Sequence, residues 1–581
     1  MKTKIFVLLA TPLIVVTFVS LVAAQDRKGP RTGSASASGA SRIDKELLEI
    51  TIPRLQEFYS QREYTVTQVT QWYLARIEKY NAIYRAVERV DAADALKTAA
   101  RLDQEAVTGG KNFKRGPLWG VPIVLKANTS IQGLITTDGW KGYKIAGHEL
   151  IAPIDATIVK KLKLAGAVIL GSTNMPDFAA SDTNRSSSFG RTGNAYDVRF
   201  SPGGSSGGTV TSVTSNFAMV GNGTDTGNSI RMPAATSAVV GVFPTRGLVS
   251  TAGIAPLDWL LDNTGPIARS VTDAAIALGV MAGEDPLDNR TVGSSAKAQT
   301  GPYTNYLKKD ALKGKRFGVP AFIMNGAGIP FEGIPASDTK EQADKKRKEA
   351  EIPLRPETRA AFMKAIEGLR AAGATVVFDD SILPDSFAET ASRICTLPYV
   401  KEGTDLFLKE FGPASYHSAT DYEKTVGSPL PETIIDGTMQ EGKREAKIPQ
   451  RILETDPEAQ ANYFGPLKRT LDAYNKTLDR LHLDGYVYPA IQMPPPDETL
   501  PQDGQLSSGP HSDTSWVNMI GVPAVVLPAG FYSDGLPFGL EISARLWKDG
   551  DLLGYAYAYE QATKLRRPPV LVEQGLLRAA H

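Results

Sequence analysis

Apolar and polar positions follow a helical period in the first part of the folded chain. From Thr65 onwards, apolar residues recur at intervals of three or four. These positions are Val66, Val69, Trp72, Tyr73, Ile77 and Tyr80. The spacing places them on one face of a helix that Thr65 is suited to cap. Asp91 is likewise suited to cap a second, alanine-rich helix that extends to about Val107.

The pattern changes after this region, where short apolar runs alternate with amphipathic stretches. The runs are Val121–Leu125, Val168–Leu170, Val239–Val242 and Thr375–Phe378. An amphipathic stretch at 157–165 ends before Gly166, another at 356–372 ends before Gly373, and an apolar run follows each. A helix, a glycine and then a strand is the order typical of α/β folds with parallel strands. We therefore predict an α/β fold with one large mixed, mainly parallel sheet surrounded by helices.

The start of the chain has the composition of an export signal. Lys2 and Lys4 precede an apolar run that extends to Val22, and small residues follow before Gln25. This order predicts a secretory signal peptide over residues 1–24 and an exported protein, periplasmic or secreted. The run is also just long enough to remain as a membrane anchor, so this alternative stays open. After cleavage we expect no stable membrane span.

The remainder of the chain is predicted to be a linker followed by one large domain. Residues 25–44 are rich in Gly, Ser and Ala, which is typical of a flexible linker. No second linker interrupts residues 45–575, so we predict a single domain there. Within it, residues 325–352 are polar, rich in lysine and punctuated by Gly and Pro, and we interpret them as a surface insertion.

Charge and cysteine content exclude several classes of function. The chain has 64 basic and 63 acidic residues, which gives no reason to expect a nucleic-acid partner. Cys395 is the only cysteine, so no intrachain disulfide forms. Its neighbours are not electropositive, and we expect it to be a small buried side chain rather than a nucleophile.

Two segments rich in glycine and serine are the first candidates for chemistry. They read SPGGSSGG at 201–208 and GNGTDTGNSIR at 221–231, and apolar runs flank the second. Glycines at this density are kept where the backbone turns tightly or approaches another group. One such use is to direct several backbone N–H groups at a developing anion.

A serine in these segments needs a base, and the chain offers histidine or lysine. Residues 203–207 satisfy G-x-S-x-G, but the preceding stretch is polar and ends in Pro202 instead of a buried strand, which disfavours a nucleophile elbow. Lys126 closes the apolar run that begins at Val121. Burial at that point would disfavour its ammonium form and create a general base, whereas a solvent-exposed lysine is the alternative. The residues alone leave both open.

The motifs around Lys126 occur in an order that resembles the amidase signature family. They are Gly-Val-Pro-Ile-x-x-Lys at 120–126, Ser-Pro-Gly-Gly-Ser-Ser-Gly-Gly at 201–208, Gly-Thr-Asp-Thr-Gly-x-Ser-Ile-Arg at 223–231 and Pro-Thr-Arg-Gly at 244–247. Shorter matches include Thr-Asn-Met at 173–175 and Gly-Val-Pro-Ala at 521–524. The resemblance extends from about Pro53 to about Ala562 and is densest between 117 and 271.

The resemblance implies a Ser–Ser–Lys amidohydrolase. It makes Ser229 the nucleophile, Ser205 a proton relay after a cis peptide bond, and Lys126 the general base. The other residues that it implies, for the oxyanion hole or for binding substrate, are Thr226, Gly227, Asn228, Met175 and Ser206. The implied reaction is hydrolysis of a linear or cyclic carboxamide C–N bond through an acyl-enzyme, without cofactor or metal. Because Lys126 must be neutral, we expect kcat/KM to rise with pH.

Two positions depart from the family pattern. Ala127 stands where the family usually has Asp, and Asn228 where it usually has Gly. They leave open a catalytically weakened binding protein as an alternative. A second alternative is a glutamine amidase similar to the A component of an amidotransferase, which would act with partner subunits. The expected partner is a small amide whose identity the sequence does not define, and relatives suggest a homodimer.

Overall fold

The computed structural model describes residues 41–110, 113–331, 333–438, 448–499, 501–502, 505–506 and 509–569. The chain divides into a short N-terminal unit, Met1–Glu46, and a large unit, Leu47–His581. The signal peptide predicted over 1–24 lies outside the described residues, as does the predicted linker as far as residue 40. Those two predictions therefore stay predictions.

In the described residues, the large unit is built on one sheet of eleven strands. The strands of the protein are β1 (Val87–Val90), β2 (Pro122–Lys126), β3 (Val168–Thr173), β4 (Arg185–Ser186), β5 (Gly190–Arg191), β6 (Val220–Asp225), β7 (Val240–Phe243), β8 (Asn263–Ala268), β9 (Arg316–Val319), β10 (Thr375–Phe378), β11 (Gly485–Pro489), β12 (Pro501–Gln502), β13 (Gln505–Leu506), β14 (Ala524–Phe531) and β15 (Pro537–Ser543). The order in the large sheet is β1-β3-β2-β6-β8-β7-β14-β15-β11-β9-β10. Strands β4 with β5, and β12 with β13, form two small hairpins.

The described residues also form α-helices, most of which surround the sheet of the large unit. They are α1 (Arg42–Leu47), α2 (Ile52–Gln61), α3 (Val66–Tyr84), α4 (Ala92–Thr108), α5 (Thr157–Leu164), α6 (Gly207–Thr214), α7 (Arg231–Ala235), α8 (Val271–Met281), α9 (Ser294–Lys297), α10 (Ala321–Asn325), α11 (Lys340–Glu349), α12 (Pro356–Ala371), α13 (Asp385–Ala391), α14 (Val400–Phe411), α15 (Ala419–Val426), α16 (Gly465–Leu481), α17 (Ser515–Ile520) and α18 (Asp549–Thr563). None of the helices in the described ranges is long and apolar enough to cross a bilayer.

The predicted α/β fold, one mixed sheet surrounded by helices, is confirmed. Both helix–glycine–strand patterns produce parallel pairs, β3 against β2 and β10 against β9. Parallel strands continue to β6 on one side and to β11 on the other. Antiparallel strands, β8, β7, β14 and β15, connect the two parallel groups.

Local predictions near the N-terminus are largely confirmed. Thr65 caps α3 through a capping box, because its hydroxyl accepts from Gln68 N and the Gln68 side chain accepts from Thr65 N. Asp91 lies at the predicted start of α4 but makes no capping hydrogen bond. Its carboxylate instead accepts a 2.8 Å hydrogen bond from Arg89 Nε, so the prediction of its capping role is wrong.

The segment at 325–352 and Cys395 compare the exposure expected from the sequence with the exposure in the structure. Helix α11 is exposed except for the buried Ala343 and the partly buried Arg347, whereas Ile329 and Ile334 are buried. The segment is therefore a surface helix preceded by a part that reaches the core. Cys395 is fully buried, and this burial raises the pKa of its thiol to about 12, as expected of a structural cysteine.

Strands β2 and β6 position the candidate site. They are parallel neighbours, so Lys126 at the end of β2 and Asp225 at the end of β6 reach the same edge of the sheet. Helix α6, which Ser206 precedes, packs against both strands. The two glycine- and serine-rich segments therefore meet at this edge, together with the lysine.

Candidate active site

Lys126 is fully buried and its amine is surrounded by oxygen atoms. Its Nζ lies 2.7 Å from Ser205 Oγ, 3.1 Å from Ser206 Oγ, 2.8 Å from Thr224 Oγ1 and 3.3 Å from Thr224 O. The Ser206 hydroxyl donates to Thr224 O, so its oxygen can accept from the amine. A neutral amine has two N–H donors and one lone pair, which leaves the lone pair for the Ser205 hydroxyl proton.

The surroundings of Lys126 favour this neutral form. Burial lowers the pKa of its amine to about 7, although the carboxyl groups of Asp138, Asp225 and Asp262 act in the opposite direction. Asp138 is itself buried, which raises its pKa well above the usual range, and its Oδ1 has no hydrogen-bond partner in the described part of the chain. The alternative of a solvent-exposed Lys126 is therefore wrong.

Backbone N–H groups are available in the loop that follows β6, here called the 226–229 loop. No acceptor within the described residues receives a hydrogen bond from the N–H groups of these four residues. The next two backbone N–H groups, those of Ile230 and Arg231, donate to Asp225 Oδ2. Buried N–H groups are nearly always paired, so a loop with several free ones is suited to bind an anion.

The segments that carry the two serines suggested by the family motifs are in contact. The peptide bond between Gly204 and Ser205 is cis, as the resemblance implied. Ser206 N donates to Ser229 O at 3.2 Å, which joins the turn before α6 to the 226–229 loop. Ser229 is 6% exposed, and among the described contacts its hydroxyl makes no hydrogen bond to Ser205. Lys126 and Ser205 are therefore joined by a hydrogen bond, whereas Ser205 and Ser229 are not joined by one among the described contacts.

A buried arginine holds the 226–229 loop in place. Arg231 donates to Asp225 Oδ2 at 3.2 Å, to Glu541 Oε1 at 2.8 Å and to Gly227 O at 2.5 Å. Burial opposes its charge, but the carboxylates of Asp225 and Glu541 outweigh burial and raise the pKa of its guanidinium. Asn518 also accepts from Arg231 and donates to Asp225 O at 2.8 Å. The shape of the loop thus depends on α17 and β15, distant in sequence.

Replacing Arg231 by methionine is expected to lower the free energy of unfolding by about 3–5 kcal/mol, because two buried carboxylates lose their partner. The midpoint of guanidinium-induced unfolding measures this change. Arg54→Met is the control, since Arg54 pairs with Glu57 at the surface and is expected to contribute less than about 1 kcal/mol. Equal midpoints for the two variants would contradict the anchoring role.

The other site residues suggested by the sequence differ in their burial and in their contacts. Met175 is fully buried and packs with Ala127, Ala179 and Leu257 in an apolar cluster. Ser206 Oγ contacts the Lys126 amine and donates a hydrogen bond to Thr224 O. These contacts connect Ser206 to the base. Asn228 is partly exposed, and its side chain counteracts the rise in the pKa of the Asp182 carboxyl that burial causes.

Sequence reasoning missed several residues of the site. Thr224 receives hydrogen bonds from both Lys126 and Asn128. Asp262 accepts a 2.5 Å hydrogen bond from Thr226 Oγ1. Thr224 lies within the quoted motif at 223–231 and Asp262 directly precedes β8, so a polar residue at the end of a buried strand was the available indication. Arg231 was quoted within a motif, but its partner Glu541 lies too far along the chain to be predicted.

The histidine-based alternative finds no support in this geometry. Ser205 is bonded to Lys126, and no strand precedes it, since the residues from 201 onwards form an irregular turn before α6. The described residues contain no group of three or more His, Cys, Asp or Glu side chains arranged to hold a metal ion.

Comparison with known proteins assigns the chain to a family. The family model described as Amidase matches residues 68–329 and 346–553, which is most of the chain. The chain belongs to the amidase signature family. This amidase is 30% identical to the peptide amidase of Stenotrophomonas maltophilia, whose structure superimposes with a TM-score of 0.70 over 90% of this chain and 98% of that one. An amidase family protein from Bacillus anthracis gives 25% identity and a TM-score of 0.68, over 92% of this chain and 95% of that one.

A further relative of this amidase is the A component of the glutamyl-tRNA(Gln) amidotransferase of Thermoanaerobacter pseudethanolicus. The two are 31% identical over 534 residues, which cover 90% of this chain and 98% of the relative. Both the family and its solved members act on amide bonds, so the chain is an amide-hydrolysing enzyme.

Proposed function

We propose that this amidase hydrolyses a carboxamide C–N bond through an acyl-enzyme on Ser229, with Ser205 as proton relay and Lys126 as general base. The observation that carries the proposal is the 2.7 Å contact between the Lys126 amine and Ser205 Oγ in a fully buried setting. A base whose pKa lies near neutrality can accept a proton and return it without a large free-energy cost in either direction.

In this mechanism the neutral Lys126 amine takes the proton of Ser205, and Ser205 takes the proton of Ser229. Ser229 Oγ attacks the amide carbon, and the carbonyl oxygen becomes an oxyanion that the free N–H groups of the 226–229 loop receive. Losing one donor of this kind typically costs about 3 kcal/mol of transition-state stabilisation. The proton returns through Ser205 to the leaving amine as the C–N bond breaks, and water then hydrolyses the acyl-enzyme.

The mechanism requires a hydrogen bond between Ser229 and Ser205 when substrate is bound. Catalytic hydrogen bonds are often long or misaligned in the free enzyme and shorten when substrate is bound. The Ser206–Ser229 backbone contact already holds the two segments together.

The pH dependence of kcat/KM tests the base. Protonation of Lys126 blocks the relay, so kcat/KM for an amide is expected to rise about tenfold per pH unit below pH 7 and to level off above it. Initial rates from pH 5 to 9 at substrate concentrations well below KM give this profile. A profile that is flat or falls between pH 6 and 8 would exclude a neutral Lys126 as the base.

A second candidate is glutamine hydrolysis in a complex, by analogy with the A component of the amidotransferase. Its support is the match over nearly the full length of that relative. The purified chain distinguishes the candidates, because an independent amidase turns over simple amides without partner subunits. Activity that is confined to glutamine as the substrate, and that requires added partner subunits, would favour the second candidate.

We further propose export of this enzyme and action as a homodimer on a small amide, without nucleic acid. The support for export is the order of basic, apolar and small residues over 1–24. Sequencing the N-terminus of the mature protein from separated cell fractions tests this. A chain that starts at Met1 in the cytoplasm would contradict export.

A further inference from the structure

A cavity of about 460 Å³ lies between α8, α9 and the segment 298–304. Its lining includes the apolar residues Leu248, Ile276 and Val280, and none of the described residues that line it is charged. The lining shares no residue with the candidate active site. Small-molecule sites typically have volumes of about 300–1,000 Å³. The cavity is therefore large enough for a small organic molecule, at a place separate from Ser229.

Gly279 leaves part of this space open. It lies in the last turn of α8 and lines the cavity, and a Cβ atom at this position would meet no other part of the protein within 4 Å. Gly314 and Gly427 have equally open surroundings, but each has a positive φ that favours glycine. Gly279 keeps a helical backbone, where glycine is less favourable than alanine. Neither backbone conformation nor close packing requires a glycine here, and its lack of a side chain preserves the cavity.

Ser294 brings an unsatisfied polar group to the lining. The residue is fully buried, and its Oγ makes no hydrogen bond in the described part of the chain. By contrast, the carbonyl groups of residues 281–283, which follow Gly279 along the chain, all accept from the Lys161 amine. Buried hydroxyl groups nearly always have a hydrogen-bond partner. The Ser294 hydroxyl is therefore available to donate to, or accept from, a molecule in the cavity.

The lining defines the chemistry of such a molecule. A charged group that enters a cavity without a counter-charge loses its hydration at a large free-energy cost, so the ligand must be uncharged. Contact with Leu248, Ile276 and Val280 removes apolar surface from water, which favours an apolar body. The Ser294 hydroxyl is already desolvated, so a hydrogen bond to it adds to the affinity of the ligand.

We propose that this cavity is a second binding site, which takes an uncharged small molecule with an apolar body and one hydrogen-bonding group such as a hydroxyl. Ser294 forms the hydrogen bond, and Gly279 provides the space. The proposal is independent of the Ser229 mechanism, because the cavity and the candidate active site have no residue in common.

Titration calorimetry of the full chain with 2-naphthol at pH 7, where this phenol is uncharged, tests the site. We expect a dissociation constant below about 100 µM for the wild-type protein. The control ligand is 2-naphthoate, which has the same rings and a carboxylate in place of the hydroxyl. It is expected to bind at least about tenfold more weakly, because the cavity offers no counter-charge.

Gly279→Leu places a side chain in the open space and is expected to weaken the binding of 2-naphthol by at least about tenfold, and Gly279→Ala by less. Both substitutions introduce a residue of higher helix propensity, so the midpoint of thermal unfolding should not fall. Ser294→Ala removes the hydrogen bond and is expected to weaken binding about fivefold. Removal of an unpaired buried hydroxyl should leave the protein folded.

Ala100→Leu is the matched control, because Ala100 is exposed on α4 and does not line the cavity. Its affinity for 2-naphthol should equal that of the wild-type protein. Three results would each overturn the second site: wild-type binding weaker than about 100 µM, equal affinity in Gly279→Leu and the wild type, or equal affinity for 2-naphthoate. Unchanged affinity in Ser294→Ala would overturn the hydrogen bond on which the ligand class depends. Binding of 2-naphthol at the active site instead would appear as an affinity that Gly279→Leu leaves unchanged.

Discussion

Substitution of Ser229 by alanine is expected to reduce amide hydrolysis by more than about 10⁴-fold, because no acyl-enzyme can form without its hydroxyl. Ser229 lies in the 226–229 loop and is 6% exposed, and removal of its hydroxyl leaves the Lys126–Ser205 contact intact. The protein should therefore remain folded. Two measurements check this result: kcat/KM for an amide, and labelling of the chain by a fluorophosphonate probe.

Ser237→Ala is the matched control for this experiment. Ser237 is buried, and its Oγ has no hydrogen-bond partner among the described residues, so the loss of its hydroxyl should leave labelling and turnover unchanged. Persistent labelling of Ser229→Ala would show that another residue is the nucleophile. Mass spectrometry of the labelled peptide would then identify that residue.

Substitution of Lys126 by methionine is expected to reduce kcat/KM for amides by about 10³–10⁴-fold, because the relay loses its base. Methionine has a similar length and is apolar, so it suits the buried position. An activated ester such as a p-nitrophenyl ester should lose less, since its leaving group departs without receiving a proton. Parallel assays with a matched amide and ester measure the difference.

Lys161→Met is the control for Lys126→Met. Lys161 is also partly desolvated, with a lowered pKa that burial causes, but its amine donates to the carbonyl groups of Met281, Ala282 and Gly283. Its loss should affect stability and leave the ratio of amide to ester turnover unchanged. If Lys126→Met lost amide and ester activity equally, a role in orienting Ser205 would replace its role as base.

The sequence predicted the parts of the fold that depend on local patterns. Gly166 and Gly373 each separate an amphipathic helix from an apolar strand, and both strands pair in parallel as expected. The capping box at Thr65 is equally local, because its two hydrogen bonds join residues three positions apart. The antiparallel pairing of the strands that connect the two parallel groups was not predicted, although β7 coincides with the apolar run at 239–242, since pairings such as that of β7 with β14 join segments that are distant along the chain.

The candidate site, like the fold, was predicted from the sequence only in part. Its motifs were recognisable because Lys126, Ser205 and Ser229 each lie within a dense run of glycine, serine or apolar residues. Whether Lys126 is a base was open, because burial is a property of the assembled sheet. The parallel pairing of β2 with β6 brings Lys126 and Thr224 to one edge, and α6 then covers the amine. That burial shifts its pKa to about 7.

The order of the residues thus sufficed for the α/β class, for several element boundaries and for the family with its three candidate catalytic side chains. The chemical state of those side chains required the folded protein. Contacts such as Arg231 with Glu541, and Gly227 with Phe331, join residues that are remote along the chain. Desolvation and long-range contact depend on which surfaces meet in three dimensions, and no local pattern of residues carries that information.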